Sequence, residues 1–386
     1  MSKILNEGGN TSVVNQKTGK YYEAERVDFR KVSLPGLRVD VLKLFNELNE
    51  LFYKTHKRKL WKPEDIKSGM VFNGSSSFII PEIHSDEDIL KYKPKMGDID
   101  ITIPDYELKN LFLLLRKHEN DRFGKFTYKG THRQNENAIG DQIFTIFKYW
   151  YSKDESVNIQ IDFESTEFHN GSPSEFAKFG HNSTFEDAEK FIKAYHHKIL
   201  ISAILTEISV LSDVLVATKA STPDNIKQVS WNKTKPAKMM KFSVDNGLRN
   251  ALEPMLDSDG KQVYFEGLRV FKEIPAKESR YEKSVQKIFN TAFNGRGDIK
   301  NFYSFVGLCK LLKKHCSKEQ QLQIAEIYFE SILGIHSTKK AVEPDLDDDI
   351  AVRLAGVDYL EKALNIKIPR KSQRVQLFRA KHSQKS

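Results

Sequence analysis

Two short segments of the chain carry acids in a pattern that would suit a metal ion. In Asp98-Ile99-Asp100-Ile101-Thr102-Ile103 the aspartates alternate with isoleucines. A period of two is a strand, which puts Asp98 and Asp100 on one face and Ile99, Ile101 and Ile103 on the other. The same parity recurs in Asn158-Ile159-Gln160-Ile161-Asp162-Phe163-Glu164, where Asp162 stands opposite Ile159, Ile161 and Phe163. Apolar faces must cover a core, so the acids project from the other side. Adjacent carboxylates repel unless a cation holds them, and an all-oxygen donor set suits Mg²⁺. Two such ions activate the attacking oxygen and stabilise the leaving oxygen of an in-line phosphoryl transfer. Upstream, Met70-Val71-Phe72 reads as a strand ending in the small-residue turn Asn73-Gly74-Ser75-Ser76-Ser77. Glycine lets the backbone approach an anion closely, and the N–H groups that follow can cradle a phosphate.

These segments need a scaffold, and the pattern around them supplies one. From Arg38 to Tyr53, Val39, Val41, Leu42, Leu44, Phe45, Leu48, Leu51 and Phe52 recur at helical spacing. A second helix is expected from Tyr106 to Lys117, with Leu108, Leu111, Phe112 and Leu115 inward. Gln142 to Trp150 and Val157 to Phe163 read as strands joined by the polar turn Ser152-Lys153-Asp154-Glu155. The order helix, strand, strand, helix, hairpin predicts a mixed α/β (α+β) domain on a small sheet. Residues 1–37 read as an irregular arm and 38–200 as the catalytic domain. Residues 201–366 read as a mostly helical accessory domain that binds the acceptor, and 367–386 as a basic tail.

Beyond Phe163 the character changes. Phe185 to Val216 reads as a long helical stretch, and Met239 to Val244 and Val263 to Phe271 as a strand pair around Asp257-Ser258-Asp259-Gly260. Further helices are expected near Phe302 to Leu312, Gln320 to Leu333 and Ile350 to Leu364.

Taken together, Phe72-Asn73-Gly74-Ser75, Gly97-Asp98-Ile99-Asp100-Ile101 and Ile161-Asp162-Phe163 resemble the polymerase-β-like nucleotidyltransferase superfamily. Its signature is an apolar residue with Gly-Ser, an Asp-x-Asp strand and a third Asp on a later strand. The resemblance covers residues 38–200. It implies that Asp98 and Asp100 bind two Mg²⁺ (or Mn²⁺) ions, and that Asp162 binds the ion that activates the acceptor hydroxyl and helps deprotonate it. Gly74 and Ser75 would hold the terminal phosphates of an NTP, and Lys198 would contact the triphosphate. Twenty-two residues separate Ser75 from Asp98, about twice the usual spacing in the family. The segment from Pro81 to Lys95 reads as an insertion.

The formal net charge is +9. Seven of the positive charges lie without an acid between Lys367 and Ser386 (Lys367, Arg370, Lys371, Arg374, Arg379, Lys381 and Lys385). Without the tail, 54 basic residues face 52 acidic ones. RNA is the first acceptor expected, gripped by this tail and the basic 227–241 loop, with Trp231, Phe242 and Phe378 for stacking. The near-neutral body suits instead a small molecule, a protein or a second nucleotide as acceptor, and a non-catalytic nucleotide- or RNA-binding module is the reading from outside the enzymes. Lys129 and Arg133 read as an ordinary exposed loop, and His196 and His197 as packing or surface residues. Cys309 and Cys316 read as core thiols. There is no P-loop, His-Glu-x-x-His, Gly-x-Ser-x-Gly or Lys-x-Asp-Gly. No apolar leader or membrane-spanning run is read, and two cysteines in 386 residues fit a reducing compartment, so a cytoplasmic protein is expected.

Overall fold

The computed structural model describes residues 11–74, 76, 86–92, 95–132, 142–181, 184–188, 190, 192–217, 221–224, 226, 237–243, 246–337 and 346–368. The chain divides into two units, Met1–Glu189 and Lys190–Ser386.

The first unit is a mixed α/β fold. Short strands β1 (Ser12–Val14) and β2 (Tyr21–Glu23) form a hairpin, and β3 (Val27–Asp28) pairs β4 (Lys95–Met96). Helix α1 (Leu34–His56) begins where the Ser33 hydroxyl accepts from the Gly36 N–H at 3.2 Å, with Pro35 in the first turn. It ends at Lys57, whose left-handed backbone (φ 59°) returns its N–H to the Tyr53 carbonyl. Two further helices follow, α2 (Pro63–Lys67) and α3 (Asp86–Tyr92). The central sheet then runs through β5 (Asp98–Pro104), and helix α4 (Leu108–Lys117) leads into β6 (Arg122–Phe123), β7 (Phe126–Thr131), β8 (Gln142–Trp150) and β9 (Ser156–Thr166). Its order is β5-β9-β8-β7-β6; β5 runs parallel to β9 and the other pairs are antiparallel. A small hairpin of β10 (Phe168–His169) and β11 (Ser172–Pro173) and two helices, α5 (Glu175–His181) and α6 (Phe185–Ala188), complete the unit.

One face of the sheet is the core. Ile99, Ile101, Ile103, Ile159, Ile161 and Phe163 are wholly buried, packed with Leu44, Phe45, Leu48 and Phe52 of α1 and Leu111, Phe112 and Leu115 of α4. Val39 is 65% exposed, so the apolar stripe of α1 is narrower than its sequence implies. Phe45 sits at the hub, its ring 5.4 Å from Phe72, 5.7 Å from Trp61 and 6.3 Å from Phe163, all edge-on. Buried Asn49 clamps the chain after α1: its amide oxygen accepts from the Leu60 and Trp61 N–H groups and its Nδ2 donates to the Trp61 carbonyl. Trp61 Nε1 in turn donates to the Thr102 carbonyl on β5.

The second unit starts with α7 (Ala194–Ile208), so residue 200 lies inside a helix. The expected long helix from Phe185 to Val216 is broken after α6 and again at Ser209. Its end becomes β12 (Val210–Leu211) and β13 (Val214–Ala217), where β-branched residues and the positive φ of Asp213 favour extended chain over helix. β12 pairs β14 (Ala237–Lys238), and β15 (Met240–Ser243) pairs β16 (Gly247–Asn250). β17 (Leu252–Pro254), β18 (Tyr264–Phe265) and β13 all pair β19 (Leu268–Glu273). The strands expected to pair with each other, near 240 and 270, thus belong to different sheets, because each finds a nearer hairpin partner. Asp257 closes the predicted turn by accepting from the Asp259 and Lys261 N–H groups. Four helices follow: α8 (Val285–Phe293), α9 (Phe305–His315), α10 (Lys318–Ser337) and α11 (Leu346–Leu364). His196 and His197 are both buried in this unit, His196 against the Tyr328 hydroxyl at 2.5 Å and His197 against the Phe302 carbonyl at 2.8 Å. Burial drives His197 down to about 4, so it packs as a neutral ring. Cys309 is buried and Cys316 half-buried, both as free thiols. Among the described residues no helix is long and apolar enough to cross a membrane.

The expected irregular arm differs as well: from Thr11 to Val32 the chain is fixed on the first unit, with Val13, Val27, Phe29 and Val32 buried. Its strands are two or three residues long and carry no alternation that would show in sequence.

Because Phe45 touches the segments on either side of the acids, Phe45→Ala should destabilise the first unit by about 3–5 kcal/mol, as for other buried aromatics cut to alanine. Urea unfolding followed by tryptophan emission checks this; a loss below about 1 kcal/mol would mean that the aromatic hub is not what holds the sheet to α1.

Candidate metal centre

The register of β5 against β9 sets Asp98 beside Gln160, Ile99 beside Ile161 and Asp100 beside Asp162. The strand parity expected from sequence is therefore realised, with the three aspartates on the face opposite the core. One ligand oxygen from each of Asp98, Asp100 and Asp162 lies within 4.8 Å of the others, and this is the one such group of three found among the described residues. An all-carboxylate set at this spacing fits a hard divalent cation.

The three acids are not equivalent. Asp98 and Asp100 are half-buried, whereas Asp162 is 5% exposed. Its Oδ2 accepts from Gln160 Nε2 at 2.7 Å, and its Oδ1 is buried and accepts no hydrogen bond among the described residues. Burial raises the Asp162 carboxyl well above its ordinary 3.8; the Gln160 amide opposes that rise, and negative charge on Asp98 and Glu164 adds to it. A buried carboxylate oxygen without a donor is costly, and a cation would remove that cost. That orphaned oxygen is the sign that the group fits a metal.

Glu164 shares the face but is already satisfied. Its Oε1 accepts from Gln142 Nε2 at 2.7 Å and its Oε2 from Asn73 Nδ2 at 2.6 Å. Sequence reasoning passed over Glu164, Asn73, Gln142 and Gln160. The one signal for Gln160 and Glu164 was that both share the parity of Asp162.

The glycine turn lies at the β5 edge. The segment before it meets β5 through an isolated bridge, Phe72 to Ile101, and Gly74 is bridged as well, rather than forming the expected continuous strand. Asn73 N–H donates to the Asp100 carbonyl and Thr102 N–H to the Val71 carbonyl. Gly74 turns the chain with φ +53°. A Cβ on Gly74 would lie 3.0 Å from Asp100 Oδ2, so the turn passes directly over the acid. Ser76, wholly buried, accepts from the Asp100 N–H at 2.7 Å through its hydroxyl. Ser75 and Arg133 lie outside the described residues, as do 227–236 of the basic loop and 369–386 of the tail. Lys198 is on α7, in the second unit, and Lys129 is half-buried in β7 with its ammonium 5.4 Å from the Tyr22 ring centre.

No protein-family model, curated protein or solved structure matches the chain. The functional reading therefore stands on the chemistry of these residues.

Asp162 supplies a stability test. Its carboxyl is raised in the folded state, so the native protein binds more protons than the unfolded chain above pH 3.8. Metal-free stability must then fall as pH rises from 3.8 through the raised value. Asp162→Asn should melt at an equal or higher temperature than wild type at pH 7.5 in EDTA, while Mn²⁺ raises the melting temperature of wild type only. A variant markedly less stable in EDTA would show that the carboxylate is a structural anchor instead.

Proposed function

We propose that the chain is a metal-dependent nucleotidyltransferase that moves a nucleoside monophosphate from an NTP to an acceptor hydroxyl and releases pyrophosphate. The observation that carries the reading is the Asp98–Asp100–Asp162 cluster with one buried, orphaned oxygen, beneath a glycine turn. Bound Mg²⁺ or Mn²⁺, two ions in all, would lower the acceptor hydroxyl pKa and neutralise charge on the transferring phosphoryl group. Asp98 and Asp100 are the residues to hold both ions, with Asp162 joining them on the acceptor side. Asp162, on the acceptor side, is the residue proposed to take the hydroxyl proton. The acceptor oxygen bonds to the α-phosphorus as the bond from that phosphorus to the β-phosphate oxygen breaks. Gly74, lacking a side chain, would admit the triphosphate close to Asp100. RNA is the proposed acceptor, on the strength of the basic tail and the basic 227–241 segment, whose last residues lie in β14 and β15 and not in the expected loop. The nearly balanced charge of the remaining body favours the second reading, a small molecule, a protein or another nucleotide.

Incubation with each labelled NTP, Mn²⁺ and total RNA tests both. Label should enter RNA, a protein band or a small product in wild type and nowhere in Asp100→Asn; activity retained by that variant would overturn the assignment.

For an RNA acceptor, deletion of 367–386 should flatten the salt dependence of RNA binding. Seven single-strand phosphate contacts at roughly −0.7 each give a log–log slope near −5 for the full chain. Equal slopes with and without the tail would remove it from the acceptor site.

A further inference from the structure

We propose that Gln160 is a positioning residue for the metal centre and that the N-terminal segment, through Thr11, fixes its orientation. The inference rests on reading the three aspartates as metal ligands. Gln160 is 3% exposed on β9, on the same face as Asp162 and paired with Asp98 across the parallel register. The two ends of an amide are told apart by their partners, and here the partners leave one choice. The backbone N–H of Thr11 points at Gln160 from 3.1 Å, and an N–H only donates, so the atom facing it is Oε1. Nε2 must then face Asp162, to whose Oδ2 it donates at 2.7 Å. Rotation about the last torsion of an aspartate is soft. One oxygen tied to Gln160 stiffens that torsion and leaves Oδ1 as the atom offered to a cation. A reversed amide would set its carbonyl against the carboxylate and push the ligand away.

Thr11 is itself held. Ser12–Val14 pairs Tyr21–Glu23, and the Ser12 carbonyl lies 3.1 Å from His132 Nδ1. Asn15 Nδ2 donates to the Lys129 carbonyl, and the Gln16 and Lys17 N–H groups both donate to Glu119 Oε2. A strap anchored on β7 and the end of α4 therefore delivers one N–H to the site from 149 positions away in sequence. The group that Thr11 gives to Gln160 is its backbone N–H, which any residue but proline would supply.

The experiment is Mn²⁺ binding to the full chain, read as free Mn²⁺ by electron paramagnetic resonance, with melting curves alongside. Gln160→Met keeps the size and removes the donor, so Mn²⁺ affinity should fall about 10–100-fold, as when the partner of a metal ligand is lost elsewhere. Thr11→Pro removes the backbone donor together with the threonine side chain and should weaken Mn²⁺ binding in the same direction, while Thr11→Ala, which removes the hydroxyl and methyl but keeps the N–H, should bind Mn²⁺ like wild type. A folded Gln160→Met that binds Mn²⁺ like wild type would remove this inference and leave the metal centre standing. Should Gln160→Met fail to fold, Thr11→Pro against Thr11→Ala decides: equal affinities overturn the proposal. Wild type that binds no Mn²⁺ overturns the metal reading and this one with it, whereas Mn²⁺ binding without nucleotidyl transfer overturns the proposed reaction alone.

Discussion

Seven consecutive parallel pairings, from Asp98–Gln160 to Pro104–Thr166, hold Asp100 directly beside Asp162. Left to themselves the two carboxylates would move apart. What keeps them together is the other side of the same strands, where Ile99, Ile101, Ile103, Ile159, Ile161 and Phe163 are sealed from water against α1 and α4. Since side chains alternate, a slip of one residue would drive those apolar groups into solvent and the acids into the core. Each fully buried side chain of this size is worth about 1.5–3 kcal/mol, so the six together hold the register firmly. The placement of the acids follows from a register that the core dictates.

Neutral donors refine what the register sets. Gln160, Asn73, Gln142 and Ser76 all give or take hydrogen bonds at the acidic face. An amide orients a carboxylate without cancelling its charge, whereas a lysine in the same place would pair with it and compete with a cation. Two carboxylates of β9 show the consequence. Glu164, with an amide on each oxygen, has no oxygen left needing a cation. Asp162, with an amide on one oxygen only, keeps a buried acceptor in need of a partner. The two acids of this strand thus differ in the count of donors around each.

How much of this could be read from sequence follows from the range of the interactions involved. Period-two alternation is local, so the faces of Asp98, Asp100 and Asp162 were legible, as were α1, α4 and the β8–β9 hairpin with its Ser152–Glu155 turn. Partners far apart in sequence were not. Thr11 meeting Gln160, or Asn73 and Gln142 closing on Glu164, leaves no periodic trace. The segment 70–72 reads as a strand by composition, yet it meets β5 through the isolated bridge of Phe72 to Ile101 instead of a continuous ladder. The stretch from Phe185 to Val216 reads as helical throughout. Its last part is claimed by β19, whose parallel pairing with Val214–Ala217 spans more than fifty residues and gives no local signal.

The glycine turn shows why the centre needs contributions from several segments. β5 alone presents Asp98 and Asp100, but its outer edge would be an open row of backbone groups. The chain from Val71 to Asn73 covers that edge with hydrogen bonds between Asn73 N–H and the Asp100 carbonyl and between Thr102 N–H and the Val71 carbonyl. It reaches there because Asn49 and Trp61 fasten the preceding loop to α1 and β5. At Gly74 it must leave again over Asp100, and a left-handed backbone with no side chain is the conformation that does so without striking the carboxylate. Edge protection, acid placement and close backbone approach are therefore consequences of one short crossing, and a side chain added at Gly74 would disturb all three through the same 3.0 Å contact.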